Sequence, residues 1–178
     1  LQEESKATQF EAIALPHFSA AYNLARWLVR DDHDAEDVVQ EAYLRAYRFF
    51  GGYRGGDSRS WLLTIVRHTC YTWLQRNRAR ELSDPIDDDH PDEAAMVTAN
   101  PETVLLKNVD ATLVRRALEA LPIGFREVLI MREMEELSYK EISAIADLPI
   151  GTVMSRLARG RKRLRELLAG HMSKETLN

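Results

Sequence analysis

The chain has 178 residues, 45% hydrophobic and 29% charged, with a formal net charge of −4. Those fractions fit a globular protein and exclude a collagen-like, mucin-like or fully disordered chain. No apolar run reaches the length of a membrane span. The polar opening LQEESKATQF lacks the basic and apolar stretches of a secretory leader. The lone Cys70 excludes an internal disulfide and a multi-thiolate zinc site. A cytoplasmic protein is the expectation.

In chain order, Phe18, Ala21, Ala25 and Leu28 recur at three- and four-residue spacing and predict an amphipathic helix. The run DDHDAEDVV predicts the next helix, with Asp34 as its N-cap and acids in the first turn, where the helix dipole favours them. Val39, Tyr43 and Tyr47, flanked by Val38, Ala42 and Ala46, form its core face. That leaves Asp37, Gln40, Glu41, Leu44 and Arg48 on another face, with Glu41 and Arg45 spaced as an i,i+4 pair. The glycine-rich GGYRGGDS then makes a loop. A third helix follows, with Trp61, Ile65, Thr69 and Trp73 as its apolar row, which assigns both tryptophans to core.

The segment ELSDPIDDDHPDEAAMVTANPET carries three prolines, many acids and little apolar content. It cannot bury enough surface to offset its ordering entropy. Residues 81–102 therefore read as an acidic flexible linker between modules at 8–80 and 103–170. Residues 81–105 hold eight acids and no Lys or Arg.

In the second module, Val104 to Leu121 predicts one helix and Phe125 to Met134 another. Ser138 and Glu141 form a capping-box signature for a short helix ending near Ala146. Asp147-Leu148-Pro149 turns the chain, and Asp tolerates left-handed backbone. A last helix runs from about Ile150 to Leu168. No alternation suggests a strand. The expectation is an all-α protein of two small helical domains, the second a four-helix domain built on a helix-turn-helix.

Basic residues cluster twice. From Arg54 to Arg80, six arginines face one acid, Asp57; from Thr152 to Arg165, six bases face none. Such patches suit nucleic acid or a solvated helix face. In the second cluster, Ile142, Ile145, Leu148, Val153 and Leu157 pack two helices together. Thr152, Ser155, Arg156 and Arg159 are left on the outer side, where an inserted helix reads bases. Arg161, Lys162 and Arg163 suit phosphates.

GTVMSRLARGRKRL resembles the GTV-x-SRL-x-R-x-R run of the −35-reading domain of bacterial sigma factors. DAEDVVQEAYLRAYRFF resembles the helix by which those factors dock on RNA polymerase. The small size and two helical modules resemble the extracytoplasmic-function (group 4) subfamily, over about residues 10–168. The resemblance implies an alternative sigma factor that binds the β and β′ subunits of core RNA polymerase and directs initiation at particular promoters. It implies that Asp37, Gln40 and Glu41 bind a β′ coiled coil, with Leu44, Arg45 and Arg48 completing the patch. It implies that the loop Gly51–Ser58 and the next helix melt the −10 promoter DNA. Tyr53, Arg54, Asp57, His68 and Tyr71 would hold an extruded base, and Arg59, Arg67, Arg76 and Arg78 would supply charge. A dedicated anti-sigma protein, often membrane-anchored, is also implied. The acidic linker would thread polymerase channels lined with positive charge.

An enzymatic reading finds no support. The histidines are scattered, with no HExxH or Walker sequence, so no catalytic residue, cofactor or metal is expected. Asp87, Asp88 and Asp89 read as solvated acids. Two alternatives stand beside the sigma reading: a helix-turn-helix regulator that does not bind polymerase, and a sigma-mimicking adaptor that titrates an anti-sigma protein.

Overall fold

The computed structural model describes residues 1–83, 86, 88 and 110–175, and every regular element among them is helical. No helix there is long and apolar enough to cross a membrane.

In the first module, α1 (Gln2–Ala14) leads through a 3-10 turn at Leu15–His17 into α2 (Phe18–Val29), followed by α3 (Asp32–Phe49) and α4 (Ser58–Asn77). The last three pack on one another. Their shared core includes Leu24, Leu28, Val38, Ala42, Leu62, Val66, Cys70 and Leu74, all buried. α1 adds Phe10, set edge-on to Tyr43, Tyr47 and Phe50. The Tyr43 hydroxyl donates to the Ala14 carbonyl at 2.9 Å, and burial pushes its pKa up to about 12.

Three expectations for this module need correction. The stripe on α2 holds at Ala21, Ala25 and Leu28, but Phe18 opens the helix and is 49% exposed. Asp31, not Asp34, caps α3: its backbone is extended and its side chain accepts from the Asp34 amide at 3.0 Å. Arg30 ends α2 in left-handed backbone, so the chain turns at once and the extended conformation an N-cap needs falls on Asp31. On α4 the core row is Leu62, Leu63, Val66, Thr69, Cys70 and Leu74, while Trp61, Ile65 and Trp73 lie half-buried beside it. Trp61 leans on Tyr53 with ring centroids 4.9 Å apart, and Trp73 lies under the Arg78 guanidinium at 5.0 Å. In the loop before α4, Gly55 and Gly56 sit at φ 84° and 94°, backbone that side chains disfavour.

The second module contains α5 (Ala111–Ala120), α6 (Ile123–Leu129), α7 (Tyr139–Ala146) and α8 (Ile150–Glu175). α5 starts at its Asp110 cap rather than at Val104; residues 103–109 lie outside the described residues. α6 begins earlier than expected, after Pro122, and widens into a π-helical turn at Ile130–Met134. Both halves of the capping box form: Ser138 Oγ accepts from the Glu141 amide at 3.1 Å, and Glu141 Oε2 from the Ser138 amide at 2.6 Å. Asp147 is left-handed, at φ 53°, as the turn requires. Ile142, Ile145, Val153 and Leu157 close the helix-turn-helix. α8 continues past Leu168 to Glu175, there being no proline to stop it and Gly170 costing only about 1 kcal/mol.

Of the predicted linker, residues 81–83, Ile86 and Asp88 are described and the rest lies outside the described residues. Residues Ala79–Leu82 form a 3-10 turn, and Glu81 pairs with Arg30 at 2.7 Å, tying this end to α2. The two modules touch: α4 packs on α7, and α2 on α6.

Candidate nucleic-acid and protein-binding surfaces

α3 has two unlike sides. Ala35, Val38, Val39, Ala42 and Ala46 are buried. Asp37, Gln40, Glu41 and Arg48 are exposed, as is Leu44 at 55%. Arg45 is half-buried and donates through Nε to Glu41 Oε1 at 2.8 Å, an i,i+4 pair contributing only tenths of a kcal/mol. The result is an open polar face with a leucine at its centre.

The arginines of α4 face a different environment. Arg67 grips Glu127 of α6 with one edge of its guanidinium, Nε to Oε2 at 2.7 Å and Nη2 to Oε1 at 3.1 Å. Glu127 is fully buried. Burial alone would lower the Arg67 pKa, but the hydrogen bonds and charge of Glu127 outweigh it and the net shift is upward. Tyr71 lies against the same guanidinium, 4.3 Å from it, and burial pushes the phenol up. Arg59 donates to the Glu135 carbonyl at 2.6 Å and its carboxylate at 3.1 Å, and Asn23 donates to that carboxylate at 2.7 Å. Thus Arg59, Arg67 and Tyr71 line the seam between modules.

Arg126 lies in the seam too, only 2% exposed. It donates to the carbonyls of Leu121 at 2.8 Å and Glu119 at 3.1 Å, and more weakly to that of Leu28 at 3.4 Å. Burial, then the neighbouring Arg30 charge, lowers its pKa to about 10. Sequence reasoning passed over Arg126, Glu127 and Glu135. The trace it missed is that Arg126 and Glu127 interrupt an otherwise apolar stretch from Ile123 to Met131.

The remaining −10 candidates divide. Arg54, His68 and Arg76 are exposed. Tyr53 stacks on Phe50 at 5.9 Å and donates to the Gly56 carbonyl at 3.1 Å. Asp57 caps α4, accepting from the Ser60 amide at 3.1 Å; the Ser60 hydroxyl holds its carboxyl below the usual range. Arg78 is turned inward, donating to the Val29 carbonyl at 2.6 Å and to Asp34 at 2.5 Å.

On α8, Thr152, Ser155, Arg156 and Arg159 are half-buried, and Lys162 and Arg163 exposed. The Arg159 guanidinium lies 5.4 Å from the Phe125 ring. Arg161 pairs with Glu133 at 2.7 Å and Arg163 with Glu166 at 3.3 Å. Arg156 holds Asp88 with two hydrogen bonds, at 3.2 and 2.8 Å. Asp88 is therefore not the solvated acid expected, and Arg156 lowers its carboxyl pKa. Among the described residues no cluster of His, Cys, Asp or Glu could hold a metal.

Two family models match the chain in order, sigma-70 region 2 over residues 15–80 and sigma-70 region 4 over residues 111–164. The chain is 32% identical over 171 residues to the ECF RNA polymerase sigma factor SigE of Mycolicibacterium smegmatis. That alignment covers 96% of this chain and 66% of the relative. It is 36% identical over 135 residues to the ECF RNA polymerase sigma-E factor of Escherichia coli K12, covering 72% of this chain and 71% of that one. The chain belongs to the sigma-70 family, and within it to the ECF sigma factors, alternative sigma factors that direct transcription initiation and are not enzymes. Its fold resembles that of the sigma factor RpoE of Bartonella quintana, solved with the anti-sigma factor NepR, at TM-score 0.68 and 28% identity, covering 90% of this chain and 97% of that one. It also resembles the fold of CnrH, solved with the cytosolic domain of CnrY, at TM-score 0.63 and 22% identity over 90% of this chain and 88% of that one.

Proposed function

We propose that the chain docks on the β and β′ subunits of core RNA polymerase through Asp37, Gln40, Glu41, Leu44, Arg45 and Arg48, and that it works in the cytoplasm. The observation that carries this reading is the α3 face, where an exposed Leu44 stands among polar residues while the opposite side of the helix is buried. The names of the relatives, RNA polymerase sigma factors, support it. In this reading 8–80 docks and opens the −10 DNA, 81–102 links, and 103–170 reads the −35 element; the family matches over 15–80 and 111–164 support that division of labour.

At the −10 element, Arg54, His68 and Arg76 are available as the chain stands, with Tyr53 beside them. Arg59, Arg67 and Tyr71 join them once the second module leaves α4. Asp57 holds the start of α4 and Arg78 its end. At the −35 element, Thr152, Ser155, Arg156 and Arg159 read bases, while Arg161, Lys162 and Arg163 take phosphates. An anti-sigma protein, of the kind bound to the Bartonella relative, is the expected inhibitor.

Gel filtration with core polymerase tests the reading. The wild-type chain should co-elute, and Glu41→Lys should weaken binding more than tenfold, or about 1.4 kcal/mol. Normal binding by Glu41→Lys removes the docking assignment.

A further inference from the structure

Two residues of the acidic segment, Ile86 and Asp88, lie on the second module. Ile86 lies over Gly124, where the absence of a side chain makes room: a Cβ there would come within 2.5 Å of Ile86 Cδ1 and 3.0 Å of Arg156 Nη1. Two residues on, Asp88 spans the guanidinium edge of Arg156, Nε to Oδ1 at 3.2 Å and Nη2 to Oδ2 at 2.8 Å. That fork is how an arginine takes a carboxylate or a phosphate. It is also how an arginine takes the O6 and N7 of guanine. The Arg156 side chain is 14% exposed. Its Nη1 lies toward Gly124. The Arg159 charge, close enough to lower the Asp88 pKa further, favours the ionised carboxylate in this place.

We propose that Ile86 and Asp88 form a built-in competitor of DNA: Asp88 occupies Arg156 in the resting chain and has to leave before α8 can enter a major groove. The proposal rests on the reading of α8 as the DNA-reading helix. Ile86 supplies the seat and Asp88 the anion. Whatever draws the acidic segment away frees Arg156, so access to DNA depends on where that segment lies.

The test uses the full chain without polymerase and a fluorescein-labelled duplex enriched by the wild-type chain from a random-sequence pool, with binding read by fluorescence anisotropy. Asp88→Asn should bind about three-fold tighter, the scale of a partly exposed ion pair. Glu11→Gln, the same change of charge on exposed α1, should gain less. Ile86→Ser should tighten binding with no change of charge. Arg156→Ala should weaken binding, and Asp88→Asn added to it should gain no more than Glu11→Gln added to it. If Arg156→Ala weakens binding while Asp88→Asn gains no more than Glu11→Gln, the competitor is overturned and the reading of α8 stands. If Arg156→Ala leaves affinity unchanged, that reading of Arg156 fails and the competitor fails with it.

Discussion

Two charged faces of the first module, one on α3 and one on α4, meet opposite surroundings. On α3, Asp37, Gln40, Glu41 and Leu44 stand in solvent. On α4, Arg59 and Arg67 end on carboxylates supplied by the second module. Both faces read as solvated from the sequence. They differ because the second module carries acids, Glu127 and Glu135, on the side it turns toward α4. With the proposed roles, polymerase docking needs no rearrangement of the described chain, whereas the full −10 set needs the seam to open.

The largest effect should come from breaking the covered side. Glu127→Ala would strand Arg67 in the seam and cost about 3–5 kcal/mol, as breaking a buried pair does. Urea unfolding measures this. Unchanged stability would mean that the pair does not hold the seam.

The arginines of α8 come next. Arg156→Ala should cost roughly 1–3 kcal/mol on a preferred −35 duplex and less on a scrambled one. Arg163→Ala should weaken every sequence alike and flatten the salt slope by about one unit. Titrations of both duplexes at several salt concentrations separate the two behaviours. Equal losses on both duplexes would take Arg156 out of the base-reading set.

Acid should act more weakly. The Ser60 hydroxyl holds the Asp57 pKa below its ordinary 3.8, and Arg156 does the same for Asp88. A carboxyl depressed in the folded state stabilises it fully above the unfolded value, and the benefit is lost as pH falls through the folded one. Melting temperature should therefore bend downward below about pH 4. Asp57→Asn should reduce the bend, and a curve unchanged by that substitution would count against the assignment.

The smallest effect on stability belongs to the open face. Leu44→Ala should change unfolding free energy by no more than about 0.5 kcal/mol, as surface substitutions do. It should still lower affinity for core polymerase in the same binding assay. A stability loss near that of Glu127→Ala would show that Leu44 packs within the chain.

What could be read from the sequence was mostly local. The Ser138–Glu141 box and the left-handed Asp147 were legible because the partners and backbone demands lie within a few residues. The exposed row of α3 was legible because its buried row has helical period. The cap at Asp31 was not: the run holds several acids, and backbone angle rather than composition selects one. The partners of Arg59 and Arg67 were not legible either, since an arginine bound for water, DNA or a distant carboxylate reads the same. Nor did any pattern mark Asp88 out from its acidic neighbours. On α4 the tryptophan row was mistaken for the core row because the helix packs on more than one side, which blurs a single stripe.

The spacing of the seam pair along the chain has a consequence during synthesis. Glu127 follows Arg67 by 60 residues. At about 5–20 residues per second, a ribosome needs roughly 3–12 s to add that length. For that interval Arg67 and Tyr71 exist without the carboxylate that later covers them, and the α3 face is already translated. With the proposed roles, a polymerase present during those seconds would meet the α3 and α4 faces before the second module can cover one of them.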